Sequence, residues 1–231
     1  MIYKLPYDID KLYSNCVYVY CVHLACIPRM EDISKNLVWK GSSFGYMNYD
    51  NADGIITFDL TRNLIYGGFC KKTNRWNEYP DKKAIEYFDQ ASNEIKDLVN
   101  ANLLNYFLTD IVVQKKSLFK KEVIVNVPVL TTSFWSSGNV LYSKDPIDTF
   151  MLQGGKFIQD IYLDKDKLID WLKNKYEVKD NELSFADELY KLKLQGSNYI
   201  NKELLLLLGE KIYECNTLIK ILENSGMIIE K

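Results

Sequence analysis

Hydrophobic and polar positions along this chain change their rhythm several times, and each rhythm predicts a different element. From Cys16 to Ile27 the residues are almost all Val, Tyr, Cys, Leu and Ala, with His23 among them and little polarity on either face. That density of β-branched and aromatic residues predicts a strand covered on both sides and ended by Pro28; pattern alone leaves a buried helix as the alternative. Short runs at Leu37 to Lys40, Phe44 to Tyr49, Ile55 to Leu60 and Leu64 to Cys70 predict four more strands. Only Thr61-Arg62-Asn63 separates the last two, a loop short enough for a hairpin in which Asn63 takes a positive φ. These strands read as an antiparallel meander.

After Trp76 and Pro80 the period lengthens. Ile85, Phe88, Ile95, Leu98, Val99, Leu103, Tyr106 and Phe107 recur at steps of three and four, which predicts one long amphipathic helix, or two with a bend near Asn100-Ala-Asn102. Asp81 is the predicted N-cap. Lys115 to Lys121 is a charged break. Val123 to Leu130 then predicts a strand in which Pro128 marks an edge or an end. Ser136-Ser-Gly-Asn139 predicts a turn, with strands resuming at Val140 and around Lys156 to Tyr162.

The last third is helical by the same criterion. Asp164 is placed as an N-cap, with Leu163 and Leu168 as its hydrophobic staple. Ser184, with Asp187 and Glu188, starts a second helix that Gly196 closes. Asn198 or Asn201 caps a third, whose apolar stripe runs through Leu204, Leu208, Ile212, Cys215, Ile219 and Leu222 and ends at Ser225-Gly226. Met227 to Ile229 packs back or adds a strand. Strands first, a central helix, strands again and helices last define an α+β fold without the alternation of a doubly wound sheet. The expected organisation is one domain over 1–231, with subdomains 1–115 and 122–231 as the alternative.

Composition sharpens this picture mainly by exclusion. The hydrophobic share of 47% and charged share of 26% are those of an ordinary globular protein. Residues 1–115 carry 13 basic and 14 acidic side chains and residues 116–231 carry 16 and 17, so each half stands at −1. Binding to a nucleic-acid backbone draws on a basic excess, and this balance disfavours it. The Cys16–Ile27 run is shorter than the roughly 20 apolar residues of a membrane-spanning helix, and the N-terminus lacks the pattern of a signal peptide. The five cysteines show no CxxC spacing, which points to free thiols in a reducing cytoplasm.

Candidate chemistry is sparse. The sole histidine, His23, lies in the most apolar segment, where a structural role outweighs a catalytic relay. Cys16 and Cys26 stand about 33 Å apart on a strand. On a helix successive members of the Cys16, Cys21, Cys26 series turn by about 140°. Neither geometry makes a zinc site. Gly154-Gly155-Lys156 lacks the earlier glycine and the following Ser or Thr of a phosphate-binding loop, and Gly41-Ser-Ser-Phe-Gly45 is no dinucleotide fingerprint; both read as turns flanking strands.

Asp50, Asp53 and Asp59 are the best catalytic material, since converging carboxylates could hold magnesium for phosphodiester hydrolysis. The ordinary reading of Asp50-Asn-Ala-Asp53-Gly54 is a turn. Two basic segments with aromatics nearby, around Lys71 to Trp76 and Lys115 to Lys121, are the ingredients of single-strand nucleic-acid binding. Phe134 and Trp135, with Trp76 and Tyr49, are the aromatics that could anchor a partner protein.

The expected function is therefore a non-catalytic protein-binding module with no cofactor and no metal, with an inhibitor or immunity-type protein as its finer form. That is the character of small cytoplasmic proteins that neutralise a toxin by binding it. A metal-dependent hydrolase or nuclease using Asp50, Asp53 and Asp59 is the alternative, and a nucleic-acid-binding protein the second.

Overall fold

Alternating burial and turn chemistry build the sheet. The computed structural model describes residues 1–72, 82–115 and 121–230, without the side chains of 112–115 and 121–122. Five strands come from the first third: β1 (Tyr3–Lys4), β2 (Leu37–Lys40), β3 (Ser43–Tyr49), β4 (Ala52–Asp59) and β5 (Leu64–Lys71). The pair β6 (Leu108–Lys115) and β7 (Lys121–Pro128) forms an antiparallel hairpin of its own, while β8 (Thr132–Ser137) and β9 (Val140–Ser143) return to the main sheet. The order across that seven-stranded sheet is β1-β9-β8-β5-β4-β3-β2, so the predicted meander is present with its strands in sequence order. Asn63 takes φ 53° in the β4–β5 connection, and Asp50 and Asn51 take φ 50° and 58° between β3 and β4. Positive φ at both central residues is what a two-residue hairpin turn of type I′ requires.

The apolar run at Cys16–Ile27 is not a strand. It belongs to α1 (Ile9–Cys26), in which every residue from Asn15 onward is buried. Twelve extended residues would reach about 40 Å, whereas coiled into a helix they span about 18 Å and satisfy their own backbone. A helix that is apolar all round belongs inside a protein. Pro28 restricts Ile27 and ends it.

Contacts divide the chain into two units, Met1–Ile9 with Gly45–Gln159 and Asp10–Phe44 with Asp160–Lys231. Of the charged segment Lys115–Lys121, Lys115 ends β6 and Lys121 begins β7, and residues 116–120 lie outside the described residues.

The first unit packs both faces of its strands. The helical period of 85–107 is realised in three pieces: a 3-10 turn at Ala84–Phe88, α2 (Asn93–Ala101) and a second 3-10 turn at Leu103–Phe107. Ser92 caps α2 by accepting the Ile95 N–H, which restarts the helix inside the predicted span. The predicted cap Asp81 lies outside the described residues. Phe88, Ile95, Val99 and Leu103 from these pieces pack with Trp135 in one buried cluster.

On the other side Phe157, Tyr46, Phe69 and Phe134 stack in succession, Tyr46 and Phe157 at 4.3 Å between centroids, and Phe150 meets Phe69 edge-on. The predicted strand at Lys156 to Tyr162 is helical instead: α3 (Ile147–Phe150) runs through a π turn at Met151–Gly155 into α4 (Lys156–Ile161). Gly154 makes the bend with φ 126°, and its carbonyl accepts the Tyr46 hydroxyl at 2.6 Å. A Cβ there would stand 2.9 Å from the Phe69 Cβ. Gly154→Ala is therefore expected to cost about 3 kcal/mol from backbone strain and overpacking together, read as a lowered midpoint in urea unfolding. An unchanged midpoint would show that the bend relaxes freely.

The second unit holds α1, α5 (Lys165–Tyr176), α6 (Asp180–Leu194), β10 (Tyr199–Ile200), α7 (Lys202–Leu206), α8 (Asn216–Asn224) and β11 (Ile228–Ile229). Asp164 sits at the N-cap of α5 as predicted, but its carboxylate makes an ion pair with Lys11 at 2.7 Å and no cap hydrogen bond. Ser184 does not start α6: the helix begins at Asp180, and Ser184 is interior, its hydroxyl donating to the Asp180 carbonyl. Gly196 closes α6 with φ 70°. Ser197 N–H bonds the Leu192 carbonyl and Gly196 N–H that of Lys193, the paired bonds of a Schellman motif. The predicted long last helix is broken by Gly209 at φ 119° into α7, a 3-10 turn at Ile212–Glu214 and α8. Ile228–Ile229 returns as a strand parallel to β10.

Candidate functional site

The three candidate carboxylates are not brought together. Asp50 and Asp53 stand at one end of β4 and Asp59 at the other, and six steps along the strand carry Asp59 about 20 Å from Asp53. Each is used where it stands. Asp50 pairs with Lys71 at 2.7 Å, and that ammonium holds its carboxyl below the ordinary range. Asp53 accepts the Asn48 N–H at 2.6 Å and pairs with Lys72 at 3.2 Å. Asp59 accepts the Thr61 hydroxyl at 2.7 Å within the β4–β5 connection. Among the described residues no group of three or more His, Cys, Asp and Glu side chains could hold a metal ion.

The candidate aromatics divide by strand alternation. Phe134 and Trp135 are successive residues of β8 and point to opposite faces, where both are buried, Phe134 against Phe69 and Phe150 and Trp135 against Phe88. Tyr49 is half-buried, edge-on to Phe157 at 5.0 Å. Trp76 lies outside the described residues. Two lysines of the first basic segment, Lys71 and Lys72, pair with Asp50 and Asp53, and residues 116–120 of the second lie outside the described residues.

His23 is fully buried on α1 and neither ring nitrogen has a hydrogen-bond partner among the described residues. Burial, and then the Lys175 charge, push its pKa down to about 4. The five cysteines are free thiols. Burial pushes Cys21, Cys26 and Cys70 up to about 12, which keeps them as unreactive thiols at neutral pH.

A concave surface lies within the second unit, between α6, β10 and α7. It encloses about 420 Å³ and is lined by Glu188 and Leu192 of α6, by Tyr199 of β10, and by Glu203, Leu204 and the adjoining Leu207. Leu204 is buried at the base, whereas Tyr199 is 47% exposed and Leu207 39%. The parallel register sets Ile228, itself 57% exposed, directly beside Tyr199.

Local sequence builds this shape. Asn201 caps α7 by accepting the Leu204 N–H at 2.9 Å, which fixes where the leucine run starts to coil. Five consecutive leucines, Leu204–Leu208, sweep about 400° of a helix. They cannot all face inward: Leu204 and Leu205 are buried, and Leu206 and Leu207 are exposed. Asn181 of α6 donates to the Leu207 carbonyl at 2.8 Å and ties the end of α7 to α6.

Acids surround the mouth. Glu230 accepts the Lys202 N–H at 3.0 Å, and Glu230 and Glu203 both lie close enough to Tyr199 to raise its pKa, after the larger effect of desolvation. Glu188 is engaged by Lys191 at 2.5 Å. The sequence singled out none of these residues as a site. The available signal was the leucine run, which exceeds what one buried helix face can hold. No protein-family model, curated protein or solved structure matches this chain.

Proposed function

We propose that this protein is a non-catalytic protein-binding module whose partner docks on the cleft between α6, β10 and α7. One observation carries the reading: Tyr199 and Leu207 expose apolar surface on one concavity, and the exposed Ile228 stands beside Tyr199 on the paired strand. Single exposed apolar residues are commonplace, but a group of them rimmed by polar side chains marks an association site. Tyr199 also combines a rigid apolar ring with a polar tip, the property that makes tyrosine an effective interface residue. The reading extends to an inhibitor or immunity-type role, in which the bound partner is a toxin or enzyme that the docking neutralises. It also places the protein in a reducing cytoplasm, in keeping with its five free thiols.

The test is quantitative capture from the source cell with the wild-type protein and with Leu207→Asp, an exposed substitution that leaves the core intact. The expected result is one protein recovered in stoichiometric amount with the wild type and at least about tenfold less with the variant, as expected for losing a well-packed anchor. Equal recovery with both would overturn the cleft as the docking surface.

A further inference from the structure

We propose that the occupant of this cleft is a basic, apolar segment of the partner, a lysine or arginine flanked by aliphatic side chains. The inference rests on the protein-binding reading and adds the chemistry of what is bound. The base of the cleft, Leu192 and Leu204 with Leu207, has no charge to offer and takes aliphatic carbon. The mouth is acidic: Glu203 lines it, and Glu230 is fixed at the junction of β10 and α7 by the Lys202 N–H. Lys191 engages Glu188, so Glu203 is the carboxylate of the lining left to face a ligand, and Glu230, already bonded to the Lys202 N–H and to Tyr199, adds its negative charge beside the Tyr199 ring.

A long basic side chain matches both parts of this surface. Its methylene stem covers the Tyr199 ring and Leu207, and its charged head reaches the carboxylates without leaving water completely. The tyrosine face adds attraction for the cation. An acidic segment would meet two carboxylates at the mouth. A wholly apolar segment would offer nothing to the Glu203 carboxylate at the mouth. Charge complementarity of this kind governs the choice of partner and the rate of association more than raw affinity.

The experiment uses the full chain and a fluorescein-labelled peptide of repeating Leu-Lys-Leu-Gly units, with its Leu-Glu-Leu-Gly and Leu-Gln-Leu-Gly counterparts, followed by anisotropy. The lysine peptide is expected to bind at least about tenfold more tightly than the glutamate peptide, with the gap narrowing between about 0.05 M and about 0.5 M salt as screening shortens. Glu203→Lys, at an exposed position, should remove that preference while leaving the fold intact. Leu207→Asp should weaken the glutamine peptide. If all three peptides bind equally and Leu207→Asp weakens them equally, the apolar docking reading stands and the basic class is overturned. If no peptide binds, or Leu207→Asp changes nothing, the cleft itself is overturned as a docking surface.

Discussion

Arg29→Ala should lower the unfolding free energy by about 3 kcal/mol, because it strands a buried carboxylate. Glu182 sits in the first turn of α6 with 6% of its side chain exposed. Its oxygens accept the Arg29 Nε at 3.0 Å, the Arg29 Nη2 at 3.2 Å and the Lys179 N–H at 2.8 Å. Arg29 Nη2 also donates to the Tyr176 and Glu177 carbonyls at the end of α5, where Glu177 turns the chain with φ 50°. One guanidinium therefore satisfies the last carbonyls of α5 and the buried acid that opens α6. Removing it leaves a buried carboxylate with the Lys179 N–H but no compensating charge, and the carbonyls of the α5 terminus lose a donor.

The double substitution Arg29→Met with Glu182→Leu should recover most of the loss, since an apolar pair of similar volume carries no desolvation cost. Helical ellipticity against urea measures both. A single-variant loss under about 1 kcal/mol would show that water reaches Glu182 and that the pair is a surface ion pair in effect. The cleft depends on this junction, because α6 supplies Glu188 and Leu192 from the helix that Glu182 begins.

His23 should make the protein acid-sensitive in a defined window. Its ring is enclosed beside Tyr20 and Tyr176, at 6.5 and 5.9 Å between centroids, and its pKa is pushed down to about 4 by burial and by Lys175. In the unfolded chain the same group titrates near about 6.5. Above that pH both states hold a neutral ring, and His23 contributes nothing to the pH dependence. As the pH falls from about 6.5 toward 4 the unfolded chain takes up a proton that the native state refuses, so stability is lost progressively. The full cost, about 3 kcal/mol, is reached below pH 4.

His23→Leu keeps a side chain of similar bulk and removes the titration. The variant should gain on the wild type by about 2 kcal/mol at pH 4.5 relative to the difference between them at pH 7. Taking the difference between the two proteins cancels the carboxylates that titrate in both. A constant difference across this range would mean that the native ring protonates as readily as the unfolded one.

The sequence was most legible where turn chemistry and alternation agreed. Strand β2 falls where the pattern placed it, β3, β4 and β5 differ by a few residues at their ends, and Asn63 has the backbone conformation its residue type suggested. The α+β class followed from these elements and the periodic C-terminal third. Pattern failed where burial is complete, because an element surrounded on all sides has no polar face to reveal its period. Helix α1 is the clearest instance: Val17, Val19 and Val22 favour a strand locally, and tertiary enclosure prevails. Helix breaks were missed where the breaker is a cap inside an apolar stripe, as with Ser92, or a single glycine, as with Gly209.

The candidate sites fared according to the same physics. Asp50, Asp53 and Asp59 are close in sequence, but an extended strand between the last two carries them to opposite ends of a hairpin. Phe134 and Trp135 stand among small hydroxyl residues in the sequence, yet those hydroxyls are themselves buried on β8, Ser133 donating to the Tyr87 carbonyl and Thr132 to Asp145. The α6–β10–α7 cleft joins residues from 188 to 207, a stretch whose turns at Gly196 and Asn201 determine which leucines remain outside. Periodicity describes one helix at a time and cannot report that arrangement.

The central claim is that a partner protein docks on this cleft, and site-specific photo-crosslinking in the source cell tests it most directly. A benzophenone side chain is placed at Leu207, and in a second protein at Leu152, which is 69% exposed in the first unit. The account predicts a single crosslinked protein from position 207 and none from position 152. Crosslinking of a specific partner from 152 while 207 stays silent would contradict it.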